Sequence, residues 1–544
     1  MLLSSDLSKP VVLMRTLPEV PFLDHHTLGN FLARRFEAQS EKLSDIPHPN
    51  QLKDAQKGAE RLARAIRNGE RIALVGDYDV DGVTSTAIVK RFFDLIPYPL
   101  FTTIPNRFTD GYGVSKNVLE RLDADVIFTV DNGINALEAA EVCKSRGIDL
   151  IITDHHTPSE ILPDAYAIIN PKQLDCPYPF KEICGAQVGW LLMGLLKQEL
   201  ELTINMRQFF PFLALAIIAD VMPLVGINRA IVKTGLEMMQ SSTLSPFVLI
   251  RDFLNRSNVS SEDIAFQIAP RINSAGRLED AKIALDFLLA DTTEKAYHQF
   301  ELLTALNTLR KETEAQTTAE AMTHVNPNDT VIVVAGEHWN EGVVGIVASR
   351  LVNHFQKPAI VLSIHNGIAK GSGRSIGAVD LYTLIKAQEH LLAKFGGHKM
   401  AAGLSMSSDI VEQFRQGINE AAKHVNPADF IPHNEIVGEL EHEMINFQLL
   451  ELLERFEPYG EGNPRPHFLI RDADVVAVKL FGSDQSHSRL ELRPSRVSQK
   501  TLELIAFRRT LECPENKKMS CSYTVNKNEW NGRVSIQLMI ERVF

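Results

Sequence analysis

Cysteine is sparse, and its placement excludes two architectures. Five occur in 544 residues. Cys143, Cys176, Cys184, Cys513 and Cys521 are odd in number and lack close metal-ligand spacing, which argues against a disulfide framework and a thiolate zinc site and predicts reduced thiols in a cytoplasmic protein. Long hydrophobic runs are also missing. The longest, Phe209 to Val225, is broken by Asp220 and Pro223 and falls short of the ~20 residues of a membrane helix. The N-terminus carries Asp6 early, without a basic leader and a small-residue cleavage site, so no secretory signal is expected. Basic excess is absent too: a formal charge of −12 argues against binding nucleic acid through diffuse positive charge, while leaving room for a local basic groove. No low-complexity tract or long like-charge run interrupts a composition that is 44% hydrophobic and 23% charged, ordinary for globular proteins. The length predicts two to four domains.

What is present is a repeated pattern of an apolar run ending in acids. Arg71-Ile72-Ala73-Leu74-Val75 leads into Asp77, Asp79 and Asp81; Val126-Ile127-Phe128-Thr129-Val130 leads into Asp131; Leu150-Ile151-Ile152 leads to Asp154-His155-His156. Each run reads as a buried strand followed by a helical pattern, the signature of a parallel βαβ sheet, whose sites gather at the carboxyl ends of its strands. Carboxylates and imidazoles delivered to one edge would repel at a cost unless divalent cations neutralised them.

The expected architecture is α/β with a C-terminal β-barrel. It has a mostly helical segment over 1–70, a parallel-sheet domain over 71–292, and a connecting helix over 293–325, where Phe300, Leu302, Leu303, Leu306 and Leu309 recur at helical spacing. A second α/β domain is expected over 326–428, after Asn326-Pro327-Asn328-Asp329, and a β domain over 429–544. In the last, Met519, Cys521, Tyr523 and Val525 alternate before Asn531-Gly532, and Val534, Ile536, Leu538 and Ile540 alternate after it, a hairpin signal.

Each acidic station has a bland alternative. Capping the helix near Val83 needs only one acid, and a calcium-loop reading fails because the twelfth-position acid is absent. Asp131-Asn132-Gly133 alone would pass as a strand-to-helix turn, the two histidines as a satisfied pair at a strand end, and Asp220, beside Ile217, Ile218 and Val221, as half of a buried ion pair. Together they supply oxygen and nitrogen ligands without thiolate, which favours Mn²⁺ or Mg²⁺. Two ions would suit phosphoester hydrolysis. Asp131 is the expected bridging ligand, with Asp79 on one ion and Asp81, His155 and Asp220 on the other or shared; His156 is a further catalytic candidate.

The runs Gly76-Asp77-Tyr78-Asp79-Val80-Asp81-Gly82, Val130-Asp131-Asn132-Gly133-Ile134, Asp154-His155-His156 and Ala219-Asp220-Val221-Met222-Pro223-Leu224 resemble the successive motifs of the DHH phosphoesterases. Within that superfamily the chain is similar to its single-strand-specific DNA exonucleases, from about His48 to Phe544. Several superfamily members carry a histidine four positions before the first metal-binding aspartate, where this chain has Val75; Asp77 is then either a substitute ligand or an outer group.

Substrate-binding candidates lie in three further stretches. Arg271-Ile272-Asn273-Ser274-Ala275-Gly276-Arg277 sets two guanidinium groups and an amide around small residues, suited to phosphate oxygens, or else a surface salt-bridge cluster. The second α/β unit holds Arg350, then Lys370-Gly371-Ser372-Gly373-Arg374-Ser375, then Gly396-Gly397-His398-Lys399. Glycine clusters admit an anion to backbone N–H groups, and the adjacent cations supply countercharge. Asn273, Ser372, Arg374, Gly397 and His398 are thus binding candidates with Arg271, Arg277 and Arg350, and the resemblance implies a substrate domain of this kind and an OB-fold after it. Trp339, Phe108 and Tyr112 are candidates for stacking on bases, against ordinary core roles.

The resemblance implies a nuclease that degrades single-stranded DNA from the 5′ end to mononucleotides in recombination and repair. It implies Mn²⁺ or Mg²⁺ as cofactor and no membrane association; a monomer is expected, with a single-strand-binding protein and a repair helicase as candidate partners. The rival readings are a small-molecule phosphoesterase, against which the C-terminal β structure weighs, and a non-catalytic DNA-binding scaffold, which need not keep Asp79, Asp81, Asp131, His155 and Asp220 together.

Overall fold

The computed structural model describes residues 17–36, 42–256, 258–431, 436–482, 485–494, 500–530 and 533–544. The expected hairpin turn at Asn531-Gly532 lies outside them. The chain opens with a short strand, β1 (Phe22–Leu23), and helix α1 (His25–Ala33), then α2 (Ala55–Asn68), whose Ala55, Ala59 and Leu62 are buried.

The first sheet is wholly parallel. Its strands are β2 (Ile72–Val75), β3 (Phe101–Thr103), β4 (Val126–Val130), β5 (Asp149–Thr153) and β6 (Ala167–Ile169), in the order β3-β2-β4-β5-β6. Helix α3 (Val80–Asp94) follows β2 and α4 (Leu137–Ser145) follows β4. Alternate side chains of β4 enter two different cores, Val126, Phe128 and Val130 on one face and Ile127 on the other, so the run is apolar save for Thr129, whose buried hydroxyl donates to Asn132 O at 2.6 Å. The larger core is completed by α5 (Gly185–Glu199), α6 (Phe210–Ala219), which is buried nearly all round, and α7 (Gly226–Ser241). A π-helical turn over Ile264–Ile268 leads into α8 (Ala269–Leu278).

Helix α9 spans Thr293–Thr323, 31 residues or about 46 Å at 1.5 Å per residue. Ala296, Phe300 and Leu303 bury against the first domain, and Ala321 joins the second. The buried Arg310 and Glu314 lie between; Glu314 also pairs with Arg350 at 2.7 Å.

The second α/β unit is a mixed sheet. Strands β7 (Ile332–Glu337) and β8 (Ala359–His365) are parallel and joined by α10 (Val344–Phe355), whereas β9 (Ile368–Arg374), β10 (Lys394–His398) and β11 (Ala401–Ser407) complete it in antiparallel pairs, in the order β10-β11-β9-β8-β7.

The last unit contains β12 (Ile436–Leu440), β13 (His467–Phe481), β14 (His487–Arg493), β15 (Leu502–Ala506), β16 (Lys518–Trp530) and β17 (Arg533–Val543). Pairings run β13-β14-β15-β17-β16 and return to β13 through β13–β16. The 15-residue β13 pairs with β12, β14 and β16, and its register shifts between Ile470 and Ala473 and between Val475 and Ala477.

The segment expected as one unit over 1–70 divides between two cores. β1 pairs in parallel with β12, and Leu23, Leu28 and Leu32 pack with Leu449, Leu450 and Phe468 of the C-terminal domain, while α2 joins the parallel-sheet core. Hydrophobic periodicity shows that α1 needs a partner; it does not say which core supplies it. The entry to the C-terminal unit is docked on the first domain: Arg229 donates to the carbonyls of Phe456 and Pro458 at 3.0 and 3.3 Å, and Ser261 Oγ to that of Tyr459 at 2.7 Å. Among the described residues no helix is long and apolar enough to cross a membrane.

Candidate metal centre

Every acidic station leaves the parallel sheet at the same edge. After β2, Asp77 is buried and Asp79 caps α3, its Oδ1 accepting from Gly82 N at 3.0 Å. Gly82 is required, since a Cβ there would stand 2.5 Å from that of Asp77. Asp81, in the first turn of α3, reaches across to the amino end of α5 and accepts from Gly185 N at 2.6 Å and Ala186 N at 2.9 Å, a placement the helix dipole favours.

Asp131, at the end of β4, holds φ of 62°, an uncommon conformation for a non-glycine residue. Its neighbour Asn132 fixes it, donating to the carbonyls of Val75 (3.1 Å) and Val130 (2.9 Å) and accepting from Val114 N (3.0 Å). After β5, Asp154 accepts from the backbone N–H groups of Ile134 (2.9 Å), His155 (2.7 Å) and His156 (3.0 Å), and its Oδ1 lies 2.7 Å from His156 Nδ1. Asp220 ends α6.

These groups converge. His155 Nε2 lies 3.2 Å from Asp131 Oδ1, 3.5 Å from Asp220 Oδ2 and 3.8 Å from Asp81 Oδ2, while His156 Nδ1 lies 3.9 Å from Asp131 Oδ1. Three sets, Asp131/His155/His156, Asp81/His155/Asp220 and Asp77/Asp79/Asp131, each bring one ligand atom per residue within 4.8 Å of the others. Asp131 belongs to two sets and His155 to two. Asp77 Oδ1, Asp131 Oδ1, Asp220 Oδ2 and both ring nitrogens of His155 are buried without a hydrogen-bond partner.

Burial, then mutual repulsion, pushes Asp77, Asp131 and Asp220 well above the usual carboxylate range and Asp81 up to about 6. Burial, then the neighbouring His156, lowers His155 to about 3 and keeps its ring neutral, with a lone pair free. Burial opposes charge on His156 as well, but the hydrogen bond to Asp154 overrides it and raises that imidazole to about 9. Unpartnered oxygen and nitrogen atoms among unneutralised acids fit hard divalent cations. The nearby Cys184 does not alter that, because burial and the surrounding acids hold its thiol protonated.

The six expected ligands, Asp77, Asp79, Asp81, Asp131, His155 and Asp220, thus meet in one place, together with the catalytic candidate His156. The expected phosphate-binding residues divide. Arg277 reaches across from the first domain and donates to Gly342 O at 2.9 Å; burial, then Arg107 and Arg374, lowers it to about 10. Arg374 donates to Ser372 Oγ at 2.6 Å, and burial depresses its pKa. Burial, then the charges of Arg374, Lys172 and His156, lowers His398 at the end of β10, next to Gly397, where φ is 140°. Arg277 and Arg374 therefore supply positive charge beside the acidic set, with His398 near them as a ring whose protonation is disfavoured.

Three others are engaged elsewhere. Asn273 accepts from Val80 N at 3.1 Å, bracing the start of α3. Arg271 lies 4.2 Å over the Phe253 ring and donates to Gln267 O, and Arg350 is held by Glu314. Of the stacking candidates, Trp339 is a core residue, buried beneath Gly336 and ring-stacked with His324 at 5.7 Å; an apolar pocket claimed it, as it usually does. Phe108 and Tyr112 are exposed, and the Tyr112 hydroxyl lies 3.5 Å from His156 Nδ1. Sequence reasoning passed over Lys172. Lys172 follows Ala167–Ile169, a further apolar run of the same strand-end pattern, which was the available signal.

A parallel sheet that gathers carboxylates and imidazoles at its carboxyl edge, within reach of one another and joined there by Asp220 from α6, with a glycine-rich second α/β domain behind a long helix, defines a metal-dependent phosphoesterase of the DHH class. Comparison agrees: the model of the DHH family N-terminal domain matches residues 71–217, that of the DHHA1 domain 328–424, and that of the RecJ OB domain 436–542. The chain is 36% identical over 517 residues to the single-stranded-DNA-specific exonuclease RecJ of Bacillus subtilis, covering 92% of this chain and 64% of that one. It is 34% identical to the protein of that name from Salmonella typhimurium, with 91% of each chain covered. A crystal structure of RecJ in complex with Mn²⁺ from Thermus thermophilus superposes with a TM-score of 0.78 at 29% identity, covering 91% of this chain and 72% of that one; the same relative is known in complex with Mg²⁺. The chain belongs to the RecJ family of single-stranded-DNA-specific exonucleases.

Proposed function

We propose that this protein is a metal-dependent exonuclease that hydrolyses single-stranded DNA from the 5′ end to mononucleotides, in recombination and repair. The observation that carries the chemistry is Asp131, buried, unpartnered at Oδ1 and common to two ligand sets. The substrate follows from the family and from the C-terminal OB domain, a module suited to single strands.

Asp131 would bridge two Mn²⁺ or Mg²⁺ ions, with Asp77 and Asp79 on one side and Asp81, His155 and Asp220 on the other. Bound there, the ions supply Lewis acidity at the phosphoryl group and lower the pKa of water. The chain's own residues do the rest. His155, held neutral, offers a lone pair; His156, held protonated by Asp154, is a cation beside the site able to stabilise negative charge developing on the phosphate. Arg277 and Arg374 countercharge the phosphate, and the end of β10 at Gly397-His398 lies beside it, orienting the terminal nucleotide. A cleft between the two domains that admits one strand would exclude a duplex. The functional units follow the sequence boundaries: phosphoesterase over 71–292, connecting helix over 293–325, substrate domain over 326–428, and nucleic-acid module from 429 with residues 17–36 added. We place the protein in the cytoplasm as a monomer, with a single-strand-binding protein and a repair helicase as partners.

The test is release of mononucleotides from 5′- and 3′-labelled single-stranded DNA with Mn²⁺ or Mg²⁺, set against turnover of a dinucleotide. Release of the 5′ label first, with the long strand preferred, is expected; no release from either end by folded, metal-loaded protein overturns the reading.

A further inference from the structure

Asp220 is a member of the proposed ligand set that no hydrogen bond holds by its side chain. Asp220 Oδ2 has no hydrogen-bond partner, so the carboxylate is aimed only by the turn that carries it, in which Val221 adopts φ of 56° and Met222 N bonds to Ile217 O at 3.0 Å. Asp81 is held differently, by the N–H groups of Gly185 and Ala186. That same stretch also touches Asp131: a Cβ on Gly185 would lie 2.5 Å from the Asp131 Cβ. The spacing of Asp81, Asp131 and Asp220 therefore depends on how the segment before α5 is fixed to the turn after α6, and these are separated by more than thirty residues of chain.

Two buried amides make that link. Asn228, in the first turn of α7 and fully buried, donates from Nδ2 to Glu182 O at 2.7 Å and to Pro223 O at 3.1 Å, bridging the two stretches directly. Gln187, in the first turn of α5, donates to Asn228 Oδ1 at 2.9 Å and accepts from Cys184 N at 3.0 Å. The side chains of Asn228 and Gln187 are both buried, so a lost partner would leave a buried amide group unsatisfied and the bridge is costly to break. We infer that Asn228, through Gln187, is a positioning residue for the metal centre, setting the separation of Asp220 from Asp81 and Asp131. The inference rests on the proposed two-cation site.

A second amide provides the control. Asn419 makes the same kind of brace in the distant substrate domain, accepting from Thr330 N at 2.7 Å and Val331 N at 2.9 Å and donating to the carbonyls of Val331 and Arg415. It holds no metal-facing group. The experiment titrates Mn²⁺ into the full-length apo protein by calorimetry, with thermal unfolding and steady-state kinetics on single-stranded DNA. Asn228→Leu is expected to weaken Mn²⁺ binding about 10- to 100-fold, the usual cost of losing a group that orients metal ligands. Raising Mn²⁺ should restore kcat, with KM for DNA unchanged. Gln187→Met, which keeps length without the amide, should weaken Mn²⁺ in the same direction by a smaller factor. Asn419→Leu should lower the unfolding temperature without moving Mn²⁺ affinity.

Folded Asn228→Leu that binds Mn²⁺ as the parent does overturns the inference, as does an equal loss of affinity in Asn419→Leu. Should Asn228→Leu not fold, Gln187→Met decides by the same criterion. A parent protein that takes up no Mn²⁺ overturns the functional reading itself, and the clasp with it.

Discussion

The two α/β sheets have five strands each and end in opposite chemistry. In the first, every strand runs the same way, so the loops after β2, β4 and β5 emerge together, and the amino ends of α3 and α5 point their N–H groups at that edge. Such an edge favours negative charge, and acids collect there until repulsion and burial lift their pKa values. In the second sheet β9, β10 and β11 alternate in direction, and no common edge exists. Its binding candidates lie along the ribbon itself, where glycine lets backbones close up: a Cβ on Gly371 would stand 2.0 Å from Val361 O. One topology concentrates carboxylates and imidazoles; the other sets Arg374 and His398 on a glycine-rich antiparallel ribbon.

The comparison breaks first at Asp131. Asp131→Ala should cut hydrolysis on the order of 10³-fold or more, leave the fold intact by circular dichroism and weaken strand binding only modestly; turnover near the parent's would remove its bridging role. Gly185→Ala comes next. The added methyl must displace Asp131 or α5, a cost of about 1–3 kcal/mol, and Mn²⁺ affinity measured by titration should fall about tenfold. Arg374→Ala tests the other sheet: KM for single-stranded DNA should rise about 10- to 100-fold, the worth of a charge-assisted contact, with Mn²⁺ uptake unchanged.

The smallest expected effect is on pH dependence. His156 is raised from 6.5 to about 9, so the stability it contributes is complete below pH 6.5 and lost as pH rises through 9. Asp81, raised to about 6, has lost its contribution by then, and His155, lowered to about 3, is neutral throughout. The metal-free protein should therefore lose a few degrees of Tm between pH 6.5 and 9, and saturating Mn²⁺ should recover more at the upper end. A Tm of the metal-free protein that climbs over this interval would contradict the assigned electrostatics.

Much of this was legible because it is local. A strand with both faces buried reads as a nearly continuous apolar run, and a polar group just after it sits at the strand's end, so the positions of Asp77, Asp131 and His155 follow from local pattern. The 31-residue helix was likewise readable, since no glycine or proline interrupts Thr293–Thr323. Arg271, Arg350 and Trp339 were not: each has the residue type that binding requires, and each is taken up by Phe253, Glu314 or a core pocket. Side-chain chemistry says what a residue is able to bind, while competition among neighbours decides what it does bind.

The amino-acid order by itself determined the strand-acid stations, the hard-ligand chemistry and the succession of units, because these follow from periodicity and residue type within a few positions. Tertiary structure alone decided that α1 belongs to the far end of the chain, that Lys172 stands by the site, and that Asn228 joins two loops beneath it. Those contacts are made between segments distant in sequence, and packing geometry, which no local pattern encodes, selects among partners of equal chemistry.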